Sequence, residues 1–239
     1  MANDKRTGSS GKATTLAVDI GGSGIKALIL DASGKPLTTR SRVETPRPAT
    51  PKAVIDVIAS LAKAKGPFDR VSVGFPGVVR NGVTVTAPNL DQTWQGYTLA
   101  VALTRTLRKP VRVANDADVQ GFGAIAGRGV EVVMSLGTGM GSALFVDGRL
   151  VPNLELAHHP FRKGMTYEEQ LGNMALKKAG KEKWNNRLGK AIQALDALFN
   201  YDVLYIGGGN SKHIAIPLPA NVKVVSNVAG LLGGIALWK

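Results

Sequence analysis

The sequence predicts a mixed α/β protein of two similar lobes, on three observations. Short apolar runs alternate with longer stretches of helical periodicity. Two distant segments, DIGGSGIKALILD and SLGTGMGSALFVD, share one grammar of strand, glycine turn and strand, opening their turns at Gly21 and Gly137. The 239 residues are 44% hydrophobic and 20% charged, which suits a globular chain with room for two cores. The expected organisation is a loose tail over residues 1–15, a first lobe over 16–115 and a second over 116–239. The final helix is expected to pack back on the first lobe.

The elements follow in order. The first 15 residues are polar and carry Lys5, Arg6 and Lys12, which reads as tail. Leu16 to Asp19 and Ala27 to Leu30 are buried strands joined by Gly21-Gly22-Ser23-Gly24, and Asp31-Ala32-Ser33-Gly34 is a turn. Thr50 caps a helix with Pro51 at its first position; Val54, Ile55, Ile58, Leu61 and Ala62 share one face, and Gly66-Pro67 ends it. Strands are expected at Val71 to Phe75 and Val83 to Thr86, a helix at Tyr97 to Arg108 and a strand at Val111 to Ala114. The second half repeats the start: Val132 to Leu136, the turn Gly137-Thr138-Gly139-Met140-Gly141, then Ala143 to Val146. Helices are expected at Tyr167 to Lys178 and Lys181 to Phe199. A strand at Val203 to Ile206 then enters Gly207-Gly208-Gly209, and a last helix covers about Ala229 to Trp238.

Composition bounds the function. Thirty Lys and Arg against seventeen Asp and Glu give a net charge of +13, which attracts polyanions. Nucleic acid is one candidate, but aromatics are 5% of residues and form no base-stacking cluster. No apolar stretch approaches the roughly 20 residues of a membrane span, and no apolar core follows the basic tail as in a signal peptide. The expectation is a cytoplasmic protein with no membrane or nucleic-acid partner. The absence of cysteine removes disulfides, thiol nucleophiles and Cys-built zinc sites.

The two glycine turns carry the first chemistry. Neither is a Walker loop nor a G-x-G-x-x-G leading into a helix, because an apolar strand follows each. A glycine hairpin can still turn successive N–H groups towards a phosphate. A plain tight turn is the bland alternative for either hairpin alone; two, each heading its own lobe, suit one shared cleft. Gly21, Gly22, Ser23, Gly24 and Lys26, with Gly137, Thr138, Gly139 and Gly141, are the candidate phosphate-binding residues. Asp19, just before the first hairpin, could hold Mg²⁺ through water.

The segments DIGGSGIK, SVGFPGVV, ANDAD, SLGTGMGSAL, ELAHH and IGGGNSK stand in the order of the ROK family of sugar kinases, which the chain resembles from about Leu16 to Leu237. The first hairpin is GGSGIK where the ordinary family pattern is GGTK, and this is similar to the polyphosphate glucokinase branch. The resemblance implies the duplicated actin-like ATPase (ribonuclease H-like) fold, with two lobes around a cleft. It also implies a homodimer, Mg²⁺, and transfer of a phosphoryl group to the 6-hydroxyl of glucose from polyphosphate, from ATP, or from both.

In ANDAD the resemblance makes Asp116 the base that takes the sugar proton and Asn115 a ligand of a neighbouring hydroxyl. One of Asn115, Asp116 and Asp118 is expected to cap the following helix, and Asp118 is the choice. Glu155 and His158 resemble the family's E-x-G-H sugar motif, with Ala157 in place of glycine. Glu168 falls at a further sugar-binding glutamate, with Glu169 one position away, and Asn89 is a candidate on the same sugar. The role of His159 is open. Relatives continue here into a zinc loop; without cysteine no structural zinc is expected, so Phe161 to Tyr167 must be held otherwise. Gly207, Gly208 and Gly209 resemble the adenosine-receiving segment of ATP-using relatives.

Arg162 to Lys190 holds eight basic and three acidic residues, and Lys183, Arg187 and Lys190 fall near one helical face. A solvated surface is the ordinary reading of such a run; a track for a long phosphate chain is the sharper one. Two further alternatives are an ATP-dependent kinase of another hexose, such as mannose, and a non-catalytic sugar sensor or polyanion binder. Sensors of the family carry an N-terminal helix-turn-helix, for which the 18 residues before Asp19 leave little room.

Overall fold

The computed structural model describes residues 13–225, 231 and 233–238. Two five-stranded sheets form the frame. The first contains β1 (Thr15–Ile20), β2 (Ile25–Leu30), β3 (Ser41–Val43), β4 (Arg70–Phe75) and β5 (Val111–Asn115), in spatial order 3-2-1-4-5. The second contains β6 (Val130–Leu136), β7 (Met140–Val146), β8 (Arg149–Val151), β9 (Val203–Gly207) and β10 (Val222–Val224), in order 8-7-6-9-10. In each, the first three strands are antiparallel neighbours and the last two run parallel to the first. Order and direction agree strand for strand. This is the duplicated arrangement of the actin-like ATPase fold.

Helix α1 (Pro51–Lys65) crosses from β3 to β4 as its periodicity requires: Thr50 Oγ1 accepts from the Ala53 N–H, and Val54, Ile55, Ile58, Leu61 and Ala62 are buried. After α1 and β4, a small hairpin pairs Val79–Arg80 with Val83–Thr84, and α2 (Leu99–Leu107) leads into β5. These helices cover one face of the first sheet, where Trp94, Phe75, Leu99 and Leu103 close the core. The second sheet is covered by α4 (Tyr167–Leu171), α5 (Asn173–Ala179) and α6 (Lys181–Phe199), around Trp184, Leu188, Ile192 and Leu195.

Between the sheets lies α3 (Asp116–Phe122), which begins where β5 ends. Glycines make room for it on both sides. A Cβ on Gly74 of β4 would stand 3.3 Å from Asp116 Cα, and one on Gly141 of β7 would stand 2.9 Å from Ala117 Cβ.

Several expectations are corrected. The stretch Tyr167 to Lys178 is two helices, because Gly172 is extended there and a Cβ would press on the Glu168 and Thr138 carbonyls. The strand expected over Val83 to Thr86 is only the short hairpin arm. Thr15, placed in the tail, opens β1, and Thr14 bonds the Asp69 carboxylate through both its N–H and its hydroxyl. Residues 1–12 of the expected tail lie outside the described residues, as do 226–230 and 232 around the start of the expected last helix. Its described end, Gly233–Trp238, is a 3-10 helix lying against β1, β4 and α3. Ser72 Oγ there donates to the Gly234 carbonyl (2.6 Å) and accepts from the Trp238 indole (2.8 Å). Among the described residues no helix is long and apolar enough to cross a membrane.

Candidate active site

Sheet register assembles the first half of the site. Arg42, Lys26, Asp19 and Gly74 are consecutive cross-strand partners over β3, β2, β1 and β4. Directly paired residues share a face, so this row carries two cations, one carboxylate and then a gap. Lys26 Nζ lies 2.7 Å from Asp19 Oδ2. Asp116 fills the gap that Gly74 leaves, beside Asp19.

The first glycine hairpin closes with the Gly21 N–H on the Gly24 carbonyl (3.1 Å). Ser23 is exposed at its tip, and Asn89 lies against Gly22, where a Cβ would come within 3.3 Å of the Asn89 Cβ. Two residues that the sequence did not single out support this hairpin. Arg42 lies across Gly24 and donates to the Ser23 carbonyl (2.7 Å), while the Thr45 hydroxyl donates to the Gly21 carbonyl. A Cβ on Gly24 would overlap the Arg42 guanidinium, so glycine is what admits the cation.

The second hairpin closes between the Gly137 N–H and the Gly139 carbonyl (3.0 Å). Thr138 is exposed at the tip. The segment Gly207-Gly208-Gly209 comes up beside it: Gly208 has φ +89° and no space for a Cβ against the Leu136 backbone, and Asn210 Nδ2 donates to the Gly137 carbonyl (2.9 Å). The Asn173 N–H, freed by the break at Gly172, donates to the Gly137 and Thr138 carbonyls. Glu168 takes the Met140 N–H (3.0 Å), and its carboxylate occupies the space a Cβ on Gly139 would need.

Four carboxylates, Asp19, Asp116, Asp118 and Glu155, lie close enough near the N-terminus of α3 for their charges to interact. Enclosure in the protein, and then the charge of Asp19, push Asp116 up to about 7; Glu155 and Asp118 add to this, and the Ala117 N–H opposes it. Asp118 is also pushed up to about 7, chiefly by burial and then by Glu155, against the Asn153 N–H that it accepts at 3.4 Å. Its Oδ1 is buried without a partner among the described residues. Burial raises Glu155, His158 opposes that rise, and Glu168 adds to it. Glu155 Oε2 is 3.5 Å from His158 Nε2, and the imidazole is half-exposed.

The cap of α3 is Asn115, which corrects the expectation of Asp118. Asn115 Oδ1 accepts from the Ala117 N–H (2.8 Å) and the Asp118 N–H (3.2 Å), and its Nδ2 donates to the Gly77 carbonyl (3.1 Å). A cap must precede the helix, and α3 already begins at Asp116. Glu169 is the capping-box partner of Thr166 and is exposed, which leaves Glu168 as the glutamate facing the hairpin. His159 Nδ1 pairs with the Pro160 carbonyl (2.8 Å). The stretch after it is a β-hairpin of Pro160–Arg162 with Met165–Thr166, held by Phe161 stacked on Tyr167 at 4.4 Å.

Asp19, Asn115, Asp116 and Glu155 therefore gather around the start of α3, with His158 beside Glu155, Glu168 and Gly207 to Gly209 against the second hairpin, and Asn89 on the first. A model of the ROK family matches residues 15–153. The chain belongs to the ROK family. It is 33% identical over 233 residues to a polyphosphate glucokinase of Mycobacterium tuberculosis, covering 90% of this chain and 88% of that one. Its fold superposes with a TM-score of 0.85 on the inorganic polyphosphate/ATP-glucomannokinase of Arthrobacter sp. strain KM, at 34% identity over 95% of this chain and 100% of that one. A ROK glucokinase of Streptomyces griseus, solved with glucose and AMPPNP, shares the fold at a TM-score of 0.76 and 20% identity, over 94% and 98% of the two chains.

A magnesium ion is implied by the ROK resemblance. Among the described residues no three His, Cys or acidic side chains gather to hold a metal. Asp19, with one oxygen on Lys26, fits an ion that keeps its waters and takes most of its ligands from phosphate.

Proposed function

We propose that this protein is a hexokinase that transfers the terminal phosphoryl group of polyphosphate, and also of ATP, to the 6-hydroxyl of glucose. One observation carries the reading: Asp116 opens α3 in the space that Gly74 leaves beside Asp19, between two sheets of the same strand order that each begin with a glycine hairpin. The identities to a polyphosphate glucokinase and to a polyphosphate/ATP-glucomannokinase support the choice of donor.

Asp116 accepts the 6-hydroxyl proton as the sugar oxygen attacks the terminal phosphorus. The bond from that phosphorus to the next phosphate breaks, and the shortened chain leaves. A base whose carboxyl titrates near neutrality can take this proton without a large mismatch. Glu155 and His158 present an acceptor and a donor to vicinal hydroxyls, with Asn89, Asn115 and Glu168 as further sugar ligands. Asn115 caps α3 through Oδ1 and gives one amide hydrogen to the Gly77 carbonyl, which leaves the second for this task. The N–H groups and side chains of Gly21 to Gly24, Lys26, Gly137 to Gly139 and Gly141 receive the phosphates, and Gly207 to Gly209 receive adenosine when ATP is the donor. Asp19 would hold a magnesium ion through water, and the ion would supply neutralisation of the phosphate charge.

The two halves of the cleft divide at Asn115 and Asp116, in lobes of 16–115 and 116–239. The resemblance also gives a cytoplasmic homodimer. The name of the Arthrobacter relative favours mannose as a second acceptor. Turnover of glucose and mannose with Mg²⁺, using long-chain polyphosphate or ATP, tests the proposal. Sugar 6-phosphate from polyphosphate is the expected product; no turnover with either donor would return the chain to a binding role.

A further inference from the structure

We infer that the groove between the Pro160–Thr166 hairpin and α6 anchors the distal part of a long polyphosphate, away from the phosphoryl group that reacts. The inference rests on the donor reading above and adds a second site to it.

The groove is a cavity of about 360 Å³ lined by Arg162, Lys163, Lys183, Asn186, Arg187 and Lys190. Five of the six are cations, and no carboxylate or aromatic is among them. None of the five forms an ion pair among the described residues. Like charges collected around one concave space repel one another unless an anion is brought in. The volume corresponds to roughly ten waters, more than a single phosphoryl group needs.

The backbone that carries the cations is held in place. Lys183, Arg187 and Lys190 follow helical spacing on α6, whose other face is locked by Trp184, Leu188 and Ile192, and the Trp184 indole donates to the Leu171 carbonyl (2.8 Å). Arg187 donates to the Gln170 carbonyl (3.4 Å). Across the groove, Lys163 with φ +55° and Gly164 with φ +70° make the tip of the hairpin that Phe161 and Tyr167 hold by stacking.

The groove neighbours the site through one helix. Helix α4 carries Glu168, which touches the second hairpin, and Gln170, which meets Arg187, so one short helix joins them. Arg162 is four residues past His158, which limits their Cα separation to about 14 Å. The segment proposed for adenosine, Gly207 to Gly209, meets the second hairpin through Gly208 on Leu136 and Asn210 on Gly137, and none of its residues lines the groove. A short donor therefore fills the hairpins alone, whereas a long one extends into the groove. With no aromatic in the lining there is no platform for bases, which favours polyphosphate over nucleic acid.

The test is the triple variant Lys163→Gln, Lys183→Gln and Lys190→Gln, three exposed side chains whose loss leaves the core intact. Binding of labelled long-chain polyphosphate is read by fluorescence anisotropy over a salt series, and turnover with long-chain polyphosphate, tripolyphosphate and ATP is read beside it. The expected result is at least a tenfold weaker long-chain affinity and a shallower salt dependence, by about one unit of log–log slope per lysine removed. KM for long-chain polyphosphate should rise with it, while KM for tripolyphosphate and ATP stays within twofold. Unchanged long-chain binding in the variant would overturn the groove and leave the donor reading standing. Wild-type protein that makes no sugar phosphate from any polyphosphate would overturn the donor reading, and this inference with it. Single-stranded DNA that displaces the labelled chain as tightly as unlabelled polyphosphate would overturn it in favour of a nucleic-acid surface.

Discussion

Asp116 and Asp118 stand two positions apart, are both raised to about 7, and predict opposite experiments. As the proposed base, Asp116 must be ionised to accept a proton, so kcat/KM should rise with pH through about 7 and level off above it. A profile that is flat between pH 6 and 8 would contradict its role as base. Asp118 is 2% exposed with one oxygen unpartnered among the described residues, and its ionised form is disfavoured in the fold. The folded state therefore holds a proton that the unfolded chain has released between about pH 4 and 7, and stability falls as pH rises through that window. Asp118→Asn should raise stability by about 1–3 kcal/mol at pH 8 in urea unfolding, and the gain should shrink as pH falls towards 4. Equal stability of variant and wild type at pH 8 would mean that burial does not hold this carboxyl up. The charge pattern around Asp116 could be read in part from sequence, because ANDAD, Glu155 and Asp19 stand out. The room for it could not: Gly74 and Gly141 sit far from it in sequence, and only the pairing of two sheets shows that both must lack a side chain. Arg42 was missed for the same reason, as it meets Gly24 through strand register.

At the scale of elements, what was legible followed periodicity. The strands that open each sheet and the helix Lys181–Phe199 matched their apolar patterns, since these elements bury a regular stripe. The break at Gly172 and the hairpin at Pro160–Thr166 did not show, because both are set by contacts with a distant glycine turn or by one aromatic stack. The 3-10 helix at Gly233–Trp238 likewise depends on its seat on β1 and β4. A glycine whose space is taken by backbone gives the sharpest element-scale prediction. Gly208→Ala would set a Cβ into the Leu136 backbone at φ +89°. It should cost at least about 2 kcal/mol, visible as a fall in Tm of about 4 °C or more, and it should weaken ATP binding with the second hairpin displaced. A variant with unchanged Tm and unchanged ATP affinity would contradict the seat assigned to this segment.

Over the whole molecule, two sheets with the same strand order share α3 between them, and the C-terminal segment returns to the first sheet. The Trp238 ring carries the Arg70 and Arg112 guanidinium groups at 5.0 and 4.5 Å, and Arg112 also donates to the Leu237 carbonyl. Trp238→Ala should cost about 1–3 kcal/mol, more than a free surface tryptophan would, and thermal unfolding by calorimetry reads it. The net charge of +13 belongs to this scale as well, and the groove is where it becomes concave. Asp116, at the junction of the halves, is the proposed base for phosphoryl transfer to a sugar. Turnover of glucose with saturating long-chain polyphosphate, compared between wild type and Asp116→Asn with glucose binding checked by calorimetry, tests it most directly. The expected result is a turnover loss of about 10²–10⁴-fold with the fold intact and glucose affinity within tenfold. A variant that keeps more than a tenth of wild-type turnover would contradict it.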